Sequence, residues 1–333
     1  MKIKNISNWS ILLVGVLLCF VPFVTNETGL LIMMTNIFIF AIFAMSYDLL
    51  LGFTGIVSFG HAMFFGLGAY STAIFMKRVE PTMEWFFISV LVGIVLSLIV
   101  SIIVGVLTLR LKSHFYAMLT LAVASLFLVV AEKWRHLTVG NDGFTFRVPD
   151  VLKDRPTFYI ICLVLMIGIF FLLKRFINSP LGRVLMAIRE NENRVESLGF
   201  VPLYYKVTAT VVAGVTASLA GSLFTVVLRY INTSVFTMDI TLNALLMTII
   251  GGVGTLIGPM IGAGLIEFAQ EWITELADVH PIFERWIIFF GILYILAVIF
   301  FPTGIVGTVN KWIAKAKSKR IEKLTPKDEK MAG

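Results

Sequence analysis

Three residues able to do chemistry, Asp48, Ser58 and His61, lie in or beside an otherwise apolar, glycine-rich stretch, LLLGFTGIVSFGHAMFFGLGAY at 49–70. An ionisable group inside a membrane span costs roughly 2.5–3.5 kcal/mol on insertion scales and normally faces a cavity or a partner. The alternative is a hydrogen-bonded knot that only fixes helix packing. A second stretch, IIGGVGTLIGPMIGAG at 249–264, interrupts an apolar run in the same way. Lipid cannot satisfy freed backbone N–H and C=O groups, so paired breaks in the two halves of a chain point to a transport pathway. The pathway candidates are Asp48, Gly52, Gly55, Ser58, Gly60, His61, Gly66, Gly68, Gly251, Gly252, Gly254 and Gly258. The rival reading is close helix packing through Gly66-x-Gly68 and Gly258-x-x-x-Gly262.

Other chemistry is missing. No G-x-x-x-x-G-K-[ST] phosphate loop, H-E-x-x-H, C-x-x-C or dinucleotide fingerprint occurs, so the chain is not expected to hydrolyse ATP by itself. His61, His114, His136 and His280 are scattered over a membrane segment and three loops, which disfavours a metal or catalytic cluster. Cys19 and Cys162 fall in apolar runs as small hydrophobes and imply no disulfide or metal framework.

The elements that position these residues follow from composition. With 333 residues, 58% hydrophobic, 14% charged and a mean hydropathy of +0.94, the chain is no soluble domain, disordered segment or free-standing nucleic-acid binder. A span needs about 20 apolar residues. Runs at 9–24, 30–51, 59–76, 85–109, 115–131, 157–173, 207–228 and 286–301 qualify or come close. The Gly-interrupted run 240–269 is one irregular helix or two short ones. If the basic loop 174–206 and the C-terminal tail are both cytoplasmic, an even number of crossings separates them, and the run must add two or none. The two-piece reading then stands. It places most of the 27 basic residues inside, with the acidic loop of Glu271, Glu275, Asp278 and Glu284 and the polar loop 132–156 outside. The expected fold is all-α: a polytopic helical membrane protein of roughly eight to ten segments with Gly-broken helices and both termini cytoplasmic. Residues 1–309 form the transmembrane domain and 310–333 a basic cytoplasmic tail.

Lys2 and Lys4 before an apolar run also describe a signal peptide, but VPFVTNETG offers no small-x-small site, favouring an uncleaved first helix. Beside a final span, the basic tail from Lys311 reads as a lipid-headgroup anchor rather than a nucleic-acid patch. The most unusual segment is NSPLGRVLMAIRENENRVESLGFVPLYYKV at 178–207. It predicts an amphipathic helix capped by Ser179, opened by Pro180 and ended by Gly199. Arg189–Glu192 and Glu190–Arg194 fall at i,i+3 and i,i+4 on its outer face. Three carboxylates among three arginines suit a protein groove better than anionic lipid.

Three segments resemble permease subunits of branched-chain amino acid ATP-binding-cassette importers: YDLLLGFTGIVSFGHAMFFGLGAY from Tyr47, SPLGR-x-x-x-AIRENE with a following LG, and GGVGTLIGPMIGA from Gly251. HLTVGNDGF at 136–144 also resembles the family's external Gly-Asp-Gly loop, here Gly140, Asn141, Asp142 and Gly143. The resemblance implies a heterodimer with a second homologous permease in the bacterial cytoplasmic membrane. It also implies two ATPase subunits carrying ATP and Mg, a periplasmic or extracellular substrate-binding protein, and no cofactor or metal on this chain. Ala187, Arg189, Glu190, Glu192, Arg194, Glu196 and Gly199 match the family's coupling segment, which engages the ATPase. Asp48 stands where many relatives carry a neutral amide.

Two rivals remain. A urea or short-amide importer permease shares the same segments. A stand-alone ion-coupled transporter would need a coupling-ion carboxylate, for which Asp48 is the candidate.

Overall fold

A computed structural model describes residues 8–24, 27–108, 113–277, 291, 295, 304–308 and 312. The expected final span 286–301 and basic tail, apart from these single positions, lie outside the described residues, as do Lys2, Lys4, Arg110, Lys112 and His280.

The long helices are α3 (Thr28–Thr54), α5 (Met83–Thr108), α6 (Ser113–Lys133), α9 (Arg155–Asn178) and α12 (Pro202–Leu228), following α1 (Asn8–Cys19) and α2 (Val21–Val24). Among the described residues these five are long and apolar enough to cross a bilayer. The other expected spans are shorter or broken. The 9–24 run splits at Phe20, ahead of Pro22, which has no N–H to continue the ladder. α4 (Ala62–Arg78) has 17 residues and starts after, not at, Phe59. The Gly-interrupted run forms α13 (Met238–Gly251) and α14 (Ile257–Ala277). Glu271 and Glu275, expected in an acidic loop, are therefore helical, whereas Asp278 and Glu284 lie outside the described residues.

Glycines set how closely these helices pack. A Cβ at Gly262 would stand 1.9 Å from the Met247 carbonyl oxygen, and one at Gly251 would stand 1.8 Å from that of Gly258. As one number rises the other falls, so α13 and α14 form an antiparallel hairpin, as the even-crossing argument requires. The same reciprocity joins α4 to α12. A Cβ at Gly68 would meet the Ser218 oxygen at 1.9 Å, and one at Gly221 the Phe65 oxygen at 1.9 Å. Between apolar helices in lipid, such close approach and the hydroxyl bonds it permits replace the hydrophobic effect. Here Ser222 of α12 donates across the seam to the Gly68 carbonyl at 3.1 Å, which also accepts from Ser71 of its own helix at 2.8 Å.

Helices α3 and α12 are mostly buried, whereas α5 and α6 present apolar side chains such as Phe87, Leu91, Met118 and Leu126 outward. The core runs through Phe40, Phe65 and Phe224, with ring centroids 5.3–6.2 Å apart. Tyr159 of α9 packs on Phe38 at 5.1 Å and donates to Leu18 O at 2.9 Å, which ties the first helix to the bundle. Cys162 is buried and Cys19 half-buried, both as free thiols.

Each end of the bundle has its own connections. At one end lie α7 (Arg135–Thr138), the 3-10 turn Gly140–Asp142, α8 (Asp150–Lys153) and a second 3-10 turn, Thr233–Phe236. A two-residue antiparallel pair there joins β1 (Phe144–Thr145) to β2 (Tyr230–Ile231), the one departure from an all-helical chain among the described residues. At the opposite end lie α10 (Pro180–Glu190), packed on α3, α9 and α12, and α11 (Glu192–Ser197), packed on α12.

Candidate functional site

The first break begins where α3 stops. Gly55 caps it in the left-handed region at φ +72°, its N–H reaching Leu50 O, and the Ile56 N–H reaches the same carbonyl at 3.0 Å. The chain then runs non-helically to His61. Freed donors here need partners from protein, because lipid supplies none. Phe59 N–H donates to Thr120 Oγ1 of α6 at 3.3 Å, and Ala62 N–H donates to Thr241 Oγ1 of α13 at 2.9 Å. Ser58 and His61 are buried. Ser46 Oγ donates to Phe43 O at 2.6 Å and lies 2.8 Å from His61 Nε2. With the single hydroxyl proton on Phe43 O, the imidazole donates from Nε2. Its ring is enclosed by Phe43, Tyr47 and Phe64, and its Nδ1 has no hydrogen-bond partner.

Asp48 belongs to a different arrangement. The second break, between α13 and α14, carries positive φ at Gly252 (127°), Gly254 (77°) and Leu256 (56°). This run turns two amides toward α3 as an anion-binding concavity. Gly254 N–H donates to Asp48 Oδ1 at 2.7 Å and Leu256 N–H to Asp48 Oδ2 at 3.2 Å. Thr255 Oγ1 donates to Gly252 O at 2.7 Å and accepts from Gly258 N at 2.9 Å, closing the turn and capping α14. One helical turn beyond Asp48, a Cβ at Gly52 would fall 2.1 Å from Asp48 Oδ1 and 2.4 Å from Gly254 N, so only glycine fits.

The charged segment meets this junction. Ser179 Oγ accepts from Gly182 N at 3.3 Å, with Pro180 at the first position as expected. The single expected helix is instead two, because Asn191 adopts an extended φ of −162° and caps α11 by accepting from Arg194 N at 3.0 Å. Gly199 ends the segment at φ +85°. The break separates the expected Arg189–Glu192 pair: Glu192 pairs with Lys206 of α12 at 2.5 Å, and Arg189 turns inward to donate to Gly52 O. Ala187, Glu190, Arg194 and Glu196 are exposed.

The remaining sequence candidates have structural neighbours. Cβ atoms at Gly60, Gly66 and Gly258 would lie within 2.5 Å of Thr120 O, the Phe236 ring and Gly252 O respectively. At the far end Asn141 Oδ1 accepts from Thr233 Oγ1 at 2.7 Å, Asp142 O accepts from Tyr230 at 3.1 Å, and Gly143 abuts Ile231 O. The Gly140–Gly143 loop is thus held against the α12–α13 connection. His136 takes part only through its backbone carbonyl, which accepts from Arg78 at 3.0 Å.

Sequence reasoning missed several partners. Thr120, Thr241 and Ser46 were legible only as hydroxyls inside apolar runs, and Lys206 as one more basic residue. Gly304 was not singled out. It packs on the second break, where its Cβ would stand 2.3 Å from Gly252 Cα. Among the described residues no three His, Cys, Asp or Glu side chains come together as a metal would need.

Antiparallel apolar helices, broken where hydroxyls and a carboxylate replace the lost helical bonds, mark a multi-pass helical membrane protein. The family described as "Branched-chain amino acid transport system / permease component" matches residues 29–298, and the chain belongs to it. It is 24% identical over 312 residues to the "High-affinity branched-chain amino acid transport system permease protein LivM" of Salmonella typhimurium, covering 85% of this chain and 71% of that one. Its identity to the protein of the same name in Escherichia coli is 22% over 312 residues, with the same coverage. A "Probable branched-chain amino acid transport permease protein LivM" of Methanocaldococcus jannaschii is 22% identical over 319 residues, 80% of this chain and 90% of that one. No solved structure matches.

Proposed function

We propose that this chain is the permease subunit of an ATP-binding-cassette importer that moves branched-chain amino acids across a bacterial cytoplasmic membrane, without catalysing a reaction itself. In this reading it pairs with a second, homologous permease and takes substrate from a soluble binding protein outside. Two ATPase subunits hold the ATP and Mg and dock on α10–α11. One observation carries the proposal. The three sequence segments that resemble the family meet at one end of the bundle, through Asp48, Gly52, Arg189 and the Gly252–Leu256 turn.

The ion-coupled alternative asks Asp48 to hold a coupling ion. Both carboxylate oxygens instead accept backbone amides, which favours the importer.

Affinity purification in mild detergent tests this reading, followed by uptake in proteoliposomes with and without internal ATP. Co-purification of ATPase subunits and ATP-dependent uptake are expected. A chain that runs alone and transports without nucleotide refutes the proposal. Among the described residues Glu190 and Glu196 are exposed and join no ion pair, so charge reversal of both (E190R with E196R) is expected to lower uptake about tenfold or more while membrane insertion is retained. Glu192 is the wrong position for that test, because its reversal also breaks the bond to Lys206. Unchanged uptake in the double variant removes α10–α11 as the docking surface.

A further inference from the structure

A coupling segment works only if its displacement reaches the helix breaks, and most of the charged side chains on α10–α11 point away from them. Arg189 is the exception. Its guanidinium donates to Gly52 O, its Cγ passes 3.0 Å from where a Cβ at Gly55 would stand, and its Nη1 passes 3.2 Å from the equivalent point at Gly254. Gly52 in the last turn of α3, Gly55 of the first break and Gly254 of the second thus line the slot that the side chain occupies. Beyond it lies Asp48, fully buried, one helical turn from Gly52 and bonded to the amides of Gly254 and Leu256. Arg189 approaches that carboxylate through Gly52, whose carbonyl it holds, and Gly254, whose amide donates to Asp48. Guanidinium, carbonyl, carboxylate and amide turn are contiguous, and Gly304 abuts the same turn through Gly252.

We propose that Arg189 is a positioning residue that latches α10 to the end of α3 and to the α13–α14 turn, with Asp48 as its opposite charge. The inference rests on the importer reading for its purpose and not for its geometry. An ATPase that shifts α10–α11 drags the end of α3 and the Gly252–Leu256 turn with it. These elements move as one because their hydrogen bonds are charge-assisted and converge on the fully buried Asp48, while the Arg189 residue keeps one flank exposed. The two glycine breaks are then displaced together. Arg189, Glu190, Arg194 and Glu196 are all exposed, and Arg189 differs in that its guanidinium reaches back to Gly52 O and so acts within this chain.

Hydrogen–deuterium exchange on the purified full-length chain tests the latch without any ATPase. In Arg189→Gln, amides of the Gly252–Leu256 turn are expected to exchange about ten- to a hundredfold faster than in wild type. Arg189→Lys should be intermediate, and Arg194→Gln should leave the turn as in wild type. The β1–β2 pair at the far end should exchange alike in all of them. In proteoliposomes the assembled complex with Arg189→Gln should keep its ATPase subunits and hydrolyse ATP, with uptake per ATP about tenfold lower. Native exchange in the turn overturns the latch, and so does loss of the ATPase subunits with the turn still protected, since Arg189 would then be a docking residue. If Arg189→Gln cannot be purified folded, Arg189→Lys decides by the same exchange measurement. Absence of ATPase from the wild-type preparation would instead sink the importer reading, and the exchange result would still stand or fall alone.

Discussion

Replacing Asp48 with alanine is expected to remove both acceptors from the second helix break and cost about 2–6 kcal/mol, since each buried amide left without a partner costs about 1–3 kcal/mol. Among the described residues Gly254 N–H and Leu256 N–H donate to no acceptor but Asp48, and lipid offers none. The turn that they belong to also carries a non-glycine residue, Leu256, in the left-handed region, a conformation that persists only while its surroundings hold it. Asp48→Asn keeps one acceptor and presents a donor to the other amide, so about half of that loss is expected. The midpoint of thermal unfolding in detergent and uptake in proteoliposomes check this in parallel. Stability should fall in the order Asp, Asn, Ala, and uptake should follow it. An alanine variant as stable and active as wild type shows that the carboxylate does not hold the turn. Loss of uptake with unchanged stability in Asp48→Asn would instead revive the coupling-ion role of the ion-driven alternative.

That arrangement shows what the sequence can disclose and what it cannot. A carboxylate within an apolar run and two glycine clusters far apart are visible at once, because each violates the composition of a lipid-facing helix. Their mutual contact is not visible. Nothing local to Asp48 announces that the amides donating to it lie some two hundred residues onward. The hairpin of α13 and α14 was legible through charge parity, which constrains how many times a chain crosses but not how closely it packs. The single amphipathic helix expected at 180–199 failed at Asn191. Its i,i+3 and i,i+4 charge pairs fit a continuous helix well, and they hid an asparagine whose side chain caps a new one. The start of α4 was misplaced for a related reason. Phe59 and Gly60 continue the apolar pattern, and only the hydroxyls of Thr120 and Thr241, from distant helices, make a non-helical path tenable there. The pairing of β1 with β2 spans the whole of α9–α12 in sequence, and two residues carry no periodic signal.

The contact between α4 and α12 permits a prediction about how substitutions combine. Gly68→Ala puts a methyl carbon 1.9 Å from the Ser218 carbonyl oxygen, and Gly221→Ala puts one 1.9 Å from that of Phe65. Both obstacles are backbone, so neither can swing aside, and the helices must part by roughly 1–1.5 Å to restore ordinary contact distance. Each single variant is expected to lose about 1–3 kcal/mol of stability. Parting also stretches the bond from Ser222 of α12 to the Gly68 carbonyl, the hydroxyl contact that crosses the seam there. The two glycines face each other across one antiparallel seam. Once the helices have separated for one methyl group, the second is accommodated at little further cost. The double variant should therefore be destabilised by distinctly less than the sum of the singles, the opposite of what two independent sites would give. Gly168→Ala, at a position with open space around the added methyl, should be neutral or slightly stabilising through helix propensity. Unfolding midpoints of the four variants in the same detergent decide the matter. Full additivity would mean that each methyl is absorbed locally and that the seam does not move as a unit.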